Sequence, residues 1–218
     1  MDVALPSRET NHDFFRRARA RLSLDVPPAL DDHEAPATRG DLDLDPSLWE
    51  CAGVQATRPA AVLIPVVDRR EPAVLLTLRT ELPSHPGQIA FPGGKIDPHD
   101  PTPAAAAVRE AGEEIGLAPA LIEPIGYLDL YLTFSGYRIL PTVARVRPDY
   151  ELVLSEAEVA DAFEVPLAFL MDAQNHALHS RDWKGIERKY YAMPFGERYI
   201  WGVTAGILRN LYERLYLA

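Results

Sequence analysis

The stretch Gly87–Leu117, which reads GQIAFPGGKIDPHDPTPAAAAVREAGEEIGL, constrains the fold more than any other part of the chain. Its second half predicts one short helix, because both ends of that helix are marked in the sequence. Thr102 is a good N-cap, and Pro103 suits the first helical position, where a missing N–H costs nothing. Gly116 is expected at the C′ position that ends the helix.

Three carboxylates share one face of this predicted helix. Glu110, Glu113 and Glu114 are spaced i, i+3 and i+4, so their side chains are neighbours. Like charges at this spacing repel, and the helix dipole disfavours anions in the last turns. Arg109 offsets part of the repulsion through Glu113. A solvated charged face is the ordinary explanation of such a pattern, whereas a divalent cation would turn the same cluster into a favourable site.

The loop before the helix supplies a further oxygen ligand. Phe91–Lys95 reads FPGGK, and its two glycines indicate backbone that approaches another group closely or adopts a positive φ. The carbonyl of Gly94 beside three carboxylates would complete an oxygen-only shell. Such a shell suits a hard metal, Mg²⁺ or Mn²⁺.

GGK followed by REAGEEIGL resembles the Nudix box, the signature of a hydrolase family. The positions that match are Gly94, Arg109, Glu110, Glu113, Glu114, Gly116 and Leu117. The interval from Gly94 to Arg109 is one residue longer than the pattern, so the usual first Glu is absent and counting reaches Asp100 or Pro101. Ala111 is also smaller than the usual apolar residue. The missing Glu bears on the support of the loop and leaves the metal-binding face intact.

Upstream, Leu75–Asp100 resembles the second motif of one Nudix branch, the coenzyme A pyrophosphatases, which shares the lengthened box. Thr80 replaces a Ser of that motif, and the spacer after it is one residue short. The resemblance implies an α/β (α+β) fold, the Nudix α/β/α sandwich with a mixed β-sheet, plus an N-terminal helical extension. It also implies metal-dependent cleavage of the phosphoanhydride of CoA, or of acyl or oxidised CoA, to 3′,5′-ADP and 4′-phosphopantetheine.

The same resemblance assigns roles in the site. The metal ligands are Gly94, Glu110, Glu113 and Glu114, and Arg109 belongs to the catalytic group. A remaining carboxylate takes the proton of the attacking water, and the sequence leaves Glu113 and Glu158 as alternatives. Glu158, with Glu156 as the next candidate, lies in a region from which the fold often supplies a carboxylate; the plainer explanation is the N-terminal turn of a helix.

Substrate contacts are expected from the residues of the two motifs and of a later loop. They are Arg79, His85, Gln88, Lys95, Tyr137 and Arg138. Tyr137 could stack on a base and Arg138 could pair with a phosphate, although a plain hairpin turn explains the neighbouring Ser-Gly equally well. Four further aromatics are interpreted as core residues that could also wall an adenine pocket: Tyr190, Tyr191, Tyr199 and Trp201.

Composition narrows the class of protein. The chain has 218 residues, 47% of them apolar and 25% charged, which suits one globular core. A net charge of −10 argues against nucleic acid as a partner. Cys51 is the single cysteine, so no internal disulfide forms. We expect a cytoplasmic protein with no membrane partner, because the sequence has neither a secretory leader nor an apolar run of ~20 residues.

We divide the chain into residues 1–55, an N-terminal helix with an extended linker, and residues 56–218, the Nudix domain. The helix, Asn11–Leu24, carries four apolar residues on one side and docks on the domain or on a partner subunit of a homodimer: Phe14, Phe15, Ala18 and Leu22. Residues Asp25–Trp49 are expected to lie over the surface. Regular elements are predicted at Ala60–Asp68, Ala73–Arg79, Ile125–Thr133, Arg138–Arg147, His176–Trp183, Arg188–Phe195 and, as a helix, Gly202–Leu217.

Two alternatives to CoA hydrolysis stay open at this point. Another nucleoside diphosphate derivative, such as ADP-ribose or NADH, would use the same metal site with different loops. A nucleotide sensor with a decayed site is less compatible with the sequence, because the repulsive glutamate trio would be lost once metal binding stopped mattering.

Overall fold

A mixed β-sheet forms the centre of the molecule. The computed structural model describes residues 11–32, 39–41, 43–45, 57–80, 87–183 and 186–217. Within these ranges the large sheet contains β1 Arg39–Gly40, β2 Arg58–Val67, β3 Ala73–Arg79, β4 Ile89–Ala90, β5 Gly93–Lys95, β6 Ile122–Tyr127, β7 Tyr131–Leu132, β8 Tyr137–Val146 and β9 Val159–Pro166. The long strand β2 pairs parallel with β8 and antiparallel with β3 and β5, so the sheet is mixed.

A second, smaller sheet is antiparallel and stands beside the first. It consists of β10 Ala177–Trp183, β11 Ile186–Phe195 and β12 Arg198–Trp201. The helices of the described chain are α1 Asn11–Arg21, α2 Pro103–Ile115, α3 Leu167–Leu170 and α4 Val203–Tyr212, which continues into a π-helical turn, Glu213–Leu217. Single 3₁₀ turns occur at Pro28–Leu30, Pro119–Leu121 and Ala173–Asn175.

Helices cover both faces of the large sheet. On one face the alanine-rich side of α2 packs against alternate residues of the central strands, including Leu63 of β2 and Leu75 of β3. On the other face, α1 and α4 bury their apolar stripes against the intervening residues, among them Ile64 and Leu76. Successive side chains of a strand point to opposite faces, so one buried strand serves both layers. The expected α/β/α sandwich with a mixed sheet is therefore confirmed.

The N-terminal helix docks on the domain. All four residues of its predicted apolar side are buried in the core: Phe14, Phe15, Ala18 and Leu22. The described residues that follow are mostly exposed, as expected for a segment that lies over the surface, and Leu30 anchors this segment by packing against Tyr127 and Leu140. Farther on, the carboxylate of Asp41 accepts hydrogen bonds from the Phe134 N–H (2.8 Å) and the Tyr131 hydroxyl (3.1 Å).

Most predicted elements occur with shifted ends. Ala73–Arg79 has the predicted bounds, and the late hairpin is present as β10 and β11. The last helix ends at Tyr212, after which the backbone widens into the π turn. No helix of the described ranges is long and apolar enough to cross a membrane.

Candidate active site

The helix α2 has the ends that its sequence predicts. The Thr102 hydroxyl accepts a hydrogen bond from the Ala105 N–H at 3.1 Å, and Pro103 occupies the first turn. Gly116 ends the helix with φ 68°, and a side chain there would also strike the backbone of Val153. These two caps fix the rotation of the helix about its axis, and with it the direction in which its glutamates point.

The two glycines of β5 are required by close contacts. A Cβ on Gly93 would lie 2.5 Å from the Ala61 carbonyl oxygen, and one on Gly94 would lie 2.6 Å from the Glu110 carboxylate. The Gly93 N–H donates to Oε2 of Glu114 at 3.2 Å. The loop backbone is thus in close contact with two of the three predicted carboxylates, Glu110 and Glu114.

Glu114 is the most unusual acid of the group. It is only 3% exposed, and burial raises its pKa to about 7 even though the Gly93 N–H and Arg79 favour the charged form. Burial also raises the pKa of Glu110, against the opposing effect of Arg109. Glu158 adds like-charge repulsion to both glutamates. The folded chain therefore holds several carboxylates close together and away from water, so that ionising all of them at once is unfavourable.

Arg109 ties the acidic helix to the preceding loop. Its guanidinium makes hydrogen bonds of 2.9 Å to both Glu110 and Glu113, and it donates to the Lys95 carbonyl at 3.2 Å. Asp100 binds the same guanidinium in a bidentate pair at 3.0 and 2.9 Å. The side chain of Asp100 is 7% exposed, and Arg109 lowers its pKa.

Asp100 therefore supplies the support that the missing Glu of the motif would give. It also accepts the Asp97 N–H at 2.8 Å, which closes the turn before α2. Counting five residues on from Gly94 in the sequence reaches Asp100. The supporting role of Asp100 could not be assigned there, because the interval to Arg109 is one residue longer than in the motif.

A turn brings Glu158 to the carboxylate cluster. The Ser155 N–H donates to the carbonyl of Glu114 at the end of α2, and the Glu158 carbonyl accepts the Thr80 N–H at the end of β3. These bonds, 2.8 and 3.1 Å long, fix the turn to both elements. The turn leads into β9, so the interpretation of this segment as the start of a helix is wrong. Glu156 and Glu158 are both exposed on this turn, and Glu158 is the one whose charge acts on Glu110 and Glu114.

The donor set suits a hard divalent cation. Glu110, Glu114 and Glu158 offer carboxylates and the loop offers carbonyls, and the raised pKa values of two of these acids mean that added positive charge would be favourable. Across the described ranges, however, no three acidic, histidine or cysteine side chains are already drawn together as a metal site. The competing contacts explain this, since Arg109 holds Glu110 and Glu113 while Gly93 and Arg79 hold Glu114. Glu113, with 61% of its side chain exposed, is the most exposed of the three glutamates of α2.

One of the predicted substrate residues, Arg79, stands beside these acids. The guanidinium of Arg79 is 3.9 Å from Oε1 of Glu114, and the Arg79 N–H donates to the Gln88 carbonyl at 3.0 Å. Lys95 has an exposed side chain at the end of β5. The ring of Tyr137 lies at the start of β8 with the guanidinium of Arg58 4.1 Å from its centroid. His85 falls outside the described residues.

The role predicted for Arg138 is wrong. This side chain is 2% exposed, and its guanidinium donates to the backbone carbonyls of Ala29 and Asp32. Burial lowers its pKa. Arg138 fastens the N-terminal segment to the sheet and is turned away from any phosphate in solvent, which the local Ser-Gly-Tyr-Arg pattern could not reveal.

A cavity of about 530 Å³ begins at Gln88 and extends along the small sheet. Its walls come from β10, β11, β12, α4, the β7–β8 loop and residues 39–41, 43 and 44. Three of the four aromatics that could wall an adenine pocket line it, namely Tyr190, Tyr191 and Trp201, whereas Tyr199 is not among the lining residues. Sequence reasoning missed the basic residues of this cavity because they carry no motif.

Comparison with known proteins places the chain in a family. The family model described as NUDIX domain matches residues 57–188. A protein of Enterobacter sp. (strain 638) named "Uncharacterized Nudix hydrolase NudL" is 39% identical over 155 residues, which cover 71% of this chain and 81% of that protein. The Escherichia coli K12 protein of the same name is 40% identical over the same lengths. The chain therefore belongs to the Nudix family and is a Nudix hydrolase.

A solved structure, an Ap4A hydrolase of C. elegans in a binary complex, also resembles the chain. It is 21% identical, with a TM-score of 0.41, and the match covers 50% of this chain and 80% of that one. A likeness this distant has no bearing on the substrate.

Proposed function

We propose that the chain is a metal-dependent pyrophosphohydrolase that cleaves the phosphoanhydride of coenzyme A or of its acyl or oxidised forms. One observation carries the proposal: Arg79 and Gln88 link the acidic cluster to the cavity. Arg79 lies 3.9 Å from Glu114 and is hydrogen-bonded through its backbone to Gln88, whose residue lines the cavity. A nucleotide in the cavity would thus extend its phosphates past Arg79 to the carboxylates.

The acidic side of the site has the ligands that such a reaction needs. Glu110, Glu113, Glu114 and the carbonyl of Gly94 would hold Mg²⁺ or Mn²⁺, which, when bound, neutralises phosphate charge and lowers the pKa of a coordinated water. Arg79 offers hydrogen-bond donors to a phosphate oxygen. Arg109, held by Asp100, fixes the orientation of Glu110 and Glu113.

A second task is to remove a proton from the attacking water. Glu113 and Glu158 are the two candidates, and they differ in how they are placed. Glu113 accepts a hydrogen bond from Arg109 at 2.9 Å, whereas Glu158 extends from the turn fixed to Thr80 and α2. Either carboxylate would act as the general base.

The substrate is tested by incubating the protein with CoA, dephospho-CoA, ADP-ribose and NADH, each with Mg²⁺ or Mn²⁺, and reading the products by mass. We expect 3′,5′-ADP and 4′-phosphopantetheine from CoA, at the highest kcat/KM of the set. Equal efficiency on CoA and ADP-ribose would leave a Nudix hydrolase of a different or broader substrate range. Hydrolysis at background on all four compounds would favour a nucleotide sensor.

A further inference from the structure

Part of the N-terminal segment forms one wall of the cavity. The described residues of this N-terminal wall that line the cavity are Arg39, Gly40, Asp41, Asp43 and Leu44. Its backbone pairing with the large sheet is short, because β1 and β7 have two residues each and the Asp41 N–H adds one further bond, to the Leu132 carbonyl at 3.0 Å. Side-chain contacts must therefore contribute to holding the N-terminal wall in place.

The side chain of Asp41 joins this wall to β7 and to the β7–β8 loop. One carboxylate oxygen accepts the Tyr131 hydroxyl at 3.1 Å, and the other accepts the Phe134 N–H at 2.8 Å. Tyr131 and Phe134 both line the cavity, and the guanidinium of Arg188 on β11 lies 3.4 Å from the Phe134 ring centroid. A single carboxylate thus fixes its own segment and two neighbouring parts of the cavity wall.

Tyr131 extends this set of contacts to helix α4. It is 5% exposed, and its hydroxyl occupies the space into which a side chain on Gly206 would project. Burial and the charge of Asp41 raise the pKa of Tyr131, so the hydroxyl keeps its proton and donates it to the carboxylate. Gly206 lines the same cavity, so the contacts from Asp41 through Tyr131 to Gly206 connect the N-terminal wall with α4.

Burial acts against the charge of the Asp41 carboxylate. It raises the pKa of Asp41 to about 6, and Asp43 acts in the same direction, whereas the Phe134 N–H, the Tyr131 hydroxyl and Arg188 favour the charged form. Burying a charged group is costly unless hydrogen bonds compensate for the lost water. The two hydrogen bonds that hold the cavity wall are therefore the ones that keep this carboxylate in place.

We propose that Asp41 is a positioning residue for the substrate, because it joins the N-terminal wall to Tyr131 and Phe134 and so gives the cavity its binding shape. The inference rests on the proposed function, which puts a nucleotide in this cavity. It goes beyond that function by making the N-terminal segment part of the substrate site. Since Asp41 acts through other residues of the wall, its loss should weaken substrate binding and leave the chemical step almost unchanged.

The test measures kcat and KM of Asp41→Ala and Asp41→Asn with CoA, or with whichever of the four compounds the wild type cleaves most efficiently. Asp31→Ala is the control, because Asp31 is exposed in the same N-terminal segment and does not line the cavity. We expect Asp41→Ala to raise KM about tenfold, the effect of losing one charged hydrogen bond, with kcat within about threefold of wild type. Asp41→Asn keeps an acceptor for the Phe134 N–H and should raise KM less. A wild-type KM in Asp41→Ala would overturn the inference.

A pH profile separates positioning from a general loss of stability. The KM of the wild type should be lower than that of Asp41→Asn at about pH 7.5, and the difference should disappear near pH 5, where Asp41 itself is protonated. The charged and titratable groups that face Asp41 are Arg188, Asp43 and Tyr131, and both proteins contain all three. Parallel KM profiles of the two proteins would contradict the inference. Melting curves verify that each variant is folded under the assay conditions.

Failure of the proposed function would be recognised separately. If the wild type hydrolyses none of the four compounds, the proposed function fails, and calorimetry with adenosine 3′,5′-bisphosphate tests the cavity directly. Weaker binding of this nucleotide by Asp41→Ala than by Asp31→Ala would then support the inference. Equal affinity of the two variants, or no binding by the wild type, would contradict it.

Discussion

The acidic cluster and the cavity differ in charge and in how the chain builds them. The cluster draws its main residues from Gly93–Glu114, with spacing fixed by one helix and one short strand. The cavity is assembled from five separate segments between Arg39 and Glu213. The cluster has an excess of buried negative charge, whereas the cavity is lined by aromatic rings and several basic side chains. Local spacing thus specifies the chemistry of the reaction, whereas tertiary packing specifies what is recognised.

The largest expected effect is the loss of catalysis when the acidic cluster is altered. Glu114→Gln should lower kcat by between about a hundredfold and a thousandfold, because the variant removes a buried carboxylate of the proposed metal site. Glu158→Gln should show a loss of the same kind if Glu158 takes part. Glu156→Gln, an exposed position on the same turn, is the control and should stay near wild type. Near-normal turnover of Glu114→Gln at saturating Mg²⁺ would show that the reaction is carried out elsewhere.

Arg138→Met should lower the stability of the fold and leave the catalytic activity almost unchanged. The variant leaves the carbonyls of Ala29 and Asp32 without their donor in a buried place, so the free energy of unfolding should fall by about 2–3 kcal/mol. Urea titration measures this change, and kcat/KM per folded molecule should stay within about threefold of wild type. Arg147→Met is the matched control, since Arg147 and Asp149 form an exposed pair worth under about 1 kcal/mol. A large rise in KM with unchanged stability would restore the substrate role.

Asp100→Asn tests the support of the acidic helix. The substitution weakens a bidentate pair in which Asp100 is buried, and we expect a loss of about 1–2 kcal/mol in the free energy of unfolding. Activity should fall as well, because Arg109 also positions Glu110 and Glu113. Asp149→Asn alters a bidentate pair that is exposed and should have little effect. Equal losses in the two variants would contradict a supporting role for Asp100.

The smallest effect is a pH dependence of stability in metal-free buffer. The pKa of Glu114 is about 7 in the folded chain and near 4.5 when unfolded, so the folded state binds the proton more tightly. Protonation of Glu114 therefore stabilises the folded state; this stabilisation is fully present below pH 4.5 and is lost as the pH rises through 7. Relative to Glu114→Gln, the wild type should therefore lose about 1–2 kcal/mol between pH 5 and pH 8. Parallel pH profiles of the two proteins would show that Glu114 ionises normally.

The comparison also explains which features of the fold and of the site could be predicted from the sequence. The α2 helix was predictable from Thr102, Pro103 and Gly116, because caps act within a few residues. The apolar side of α1 was predictable from helical periodicity alone. Both features depend on interactions between near neighbours in the chain.

Long-range contacts account for what the sequence did not reveal. Arg138 was predicted to pair with a phosphate, and only the path of residues 25–32 shows that its donors are used inside the fold. The basic residues of the cavity carry no motif, and they surround one cavity only because β10 and β11 stand beside α4. Asp100 is intermediate between the features set by near neighbours and those set by long-range contacts. Its position could be found by counting from Gly94, but its partner, Arg109, could not be assigned.

The central claim is that Gly94 and the carboxylates of α2 hold a divalent cation, and melting curves test it most directly. Because only the folded chain assembles these groups, the melting temperature of the wild type should rise with Mg²⁺ or Mn²⁺ in proportion to ln(1 + [M]/Kd). Glu110→Gln should blunt the rise, and Glu156→Gln should preserve it. A wild-type melting temperature that does not respond to millimolar Mg²⁺ or Mn²⁺ would contradict the account.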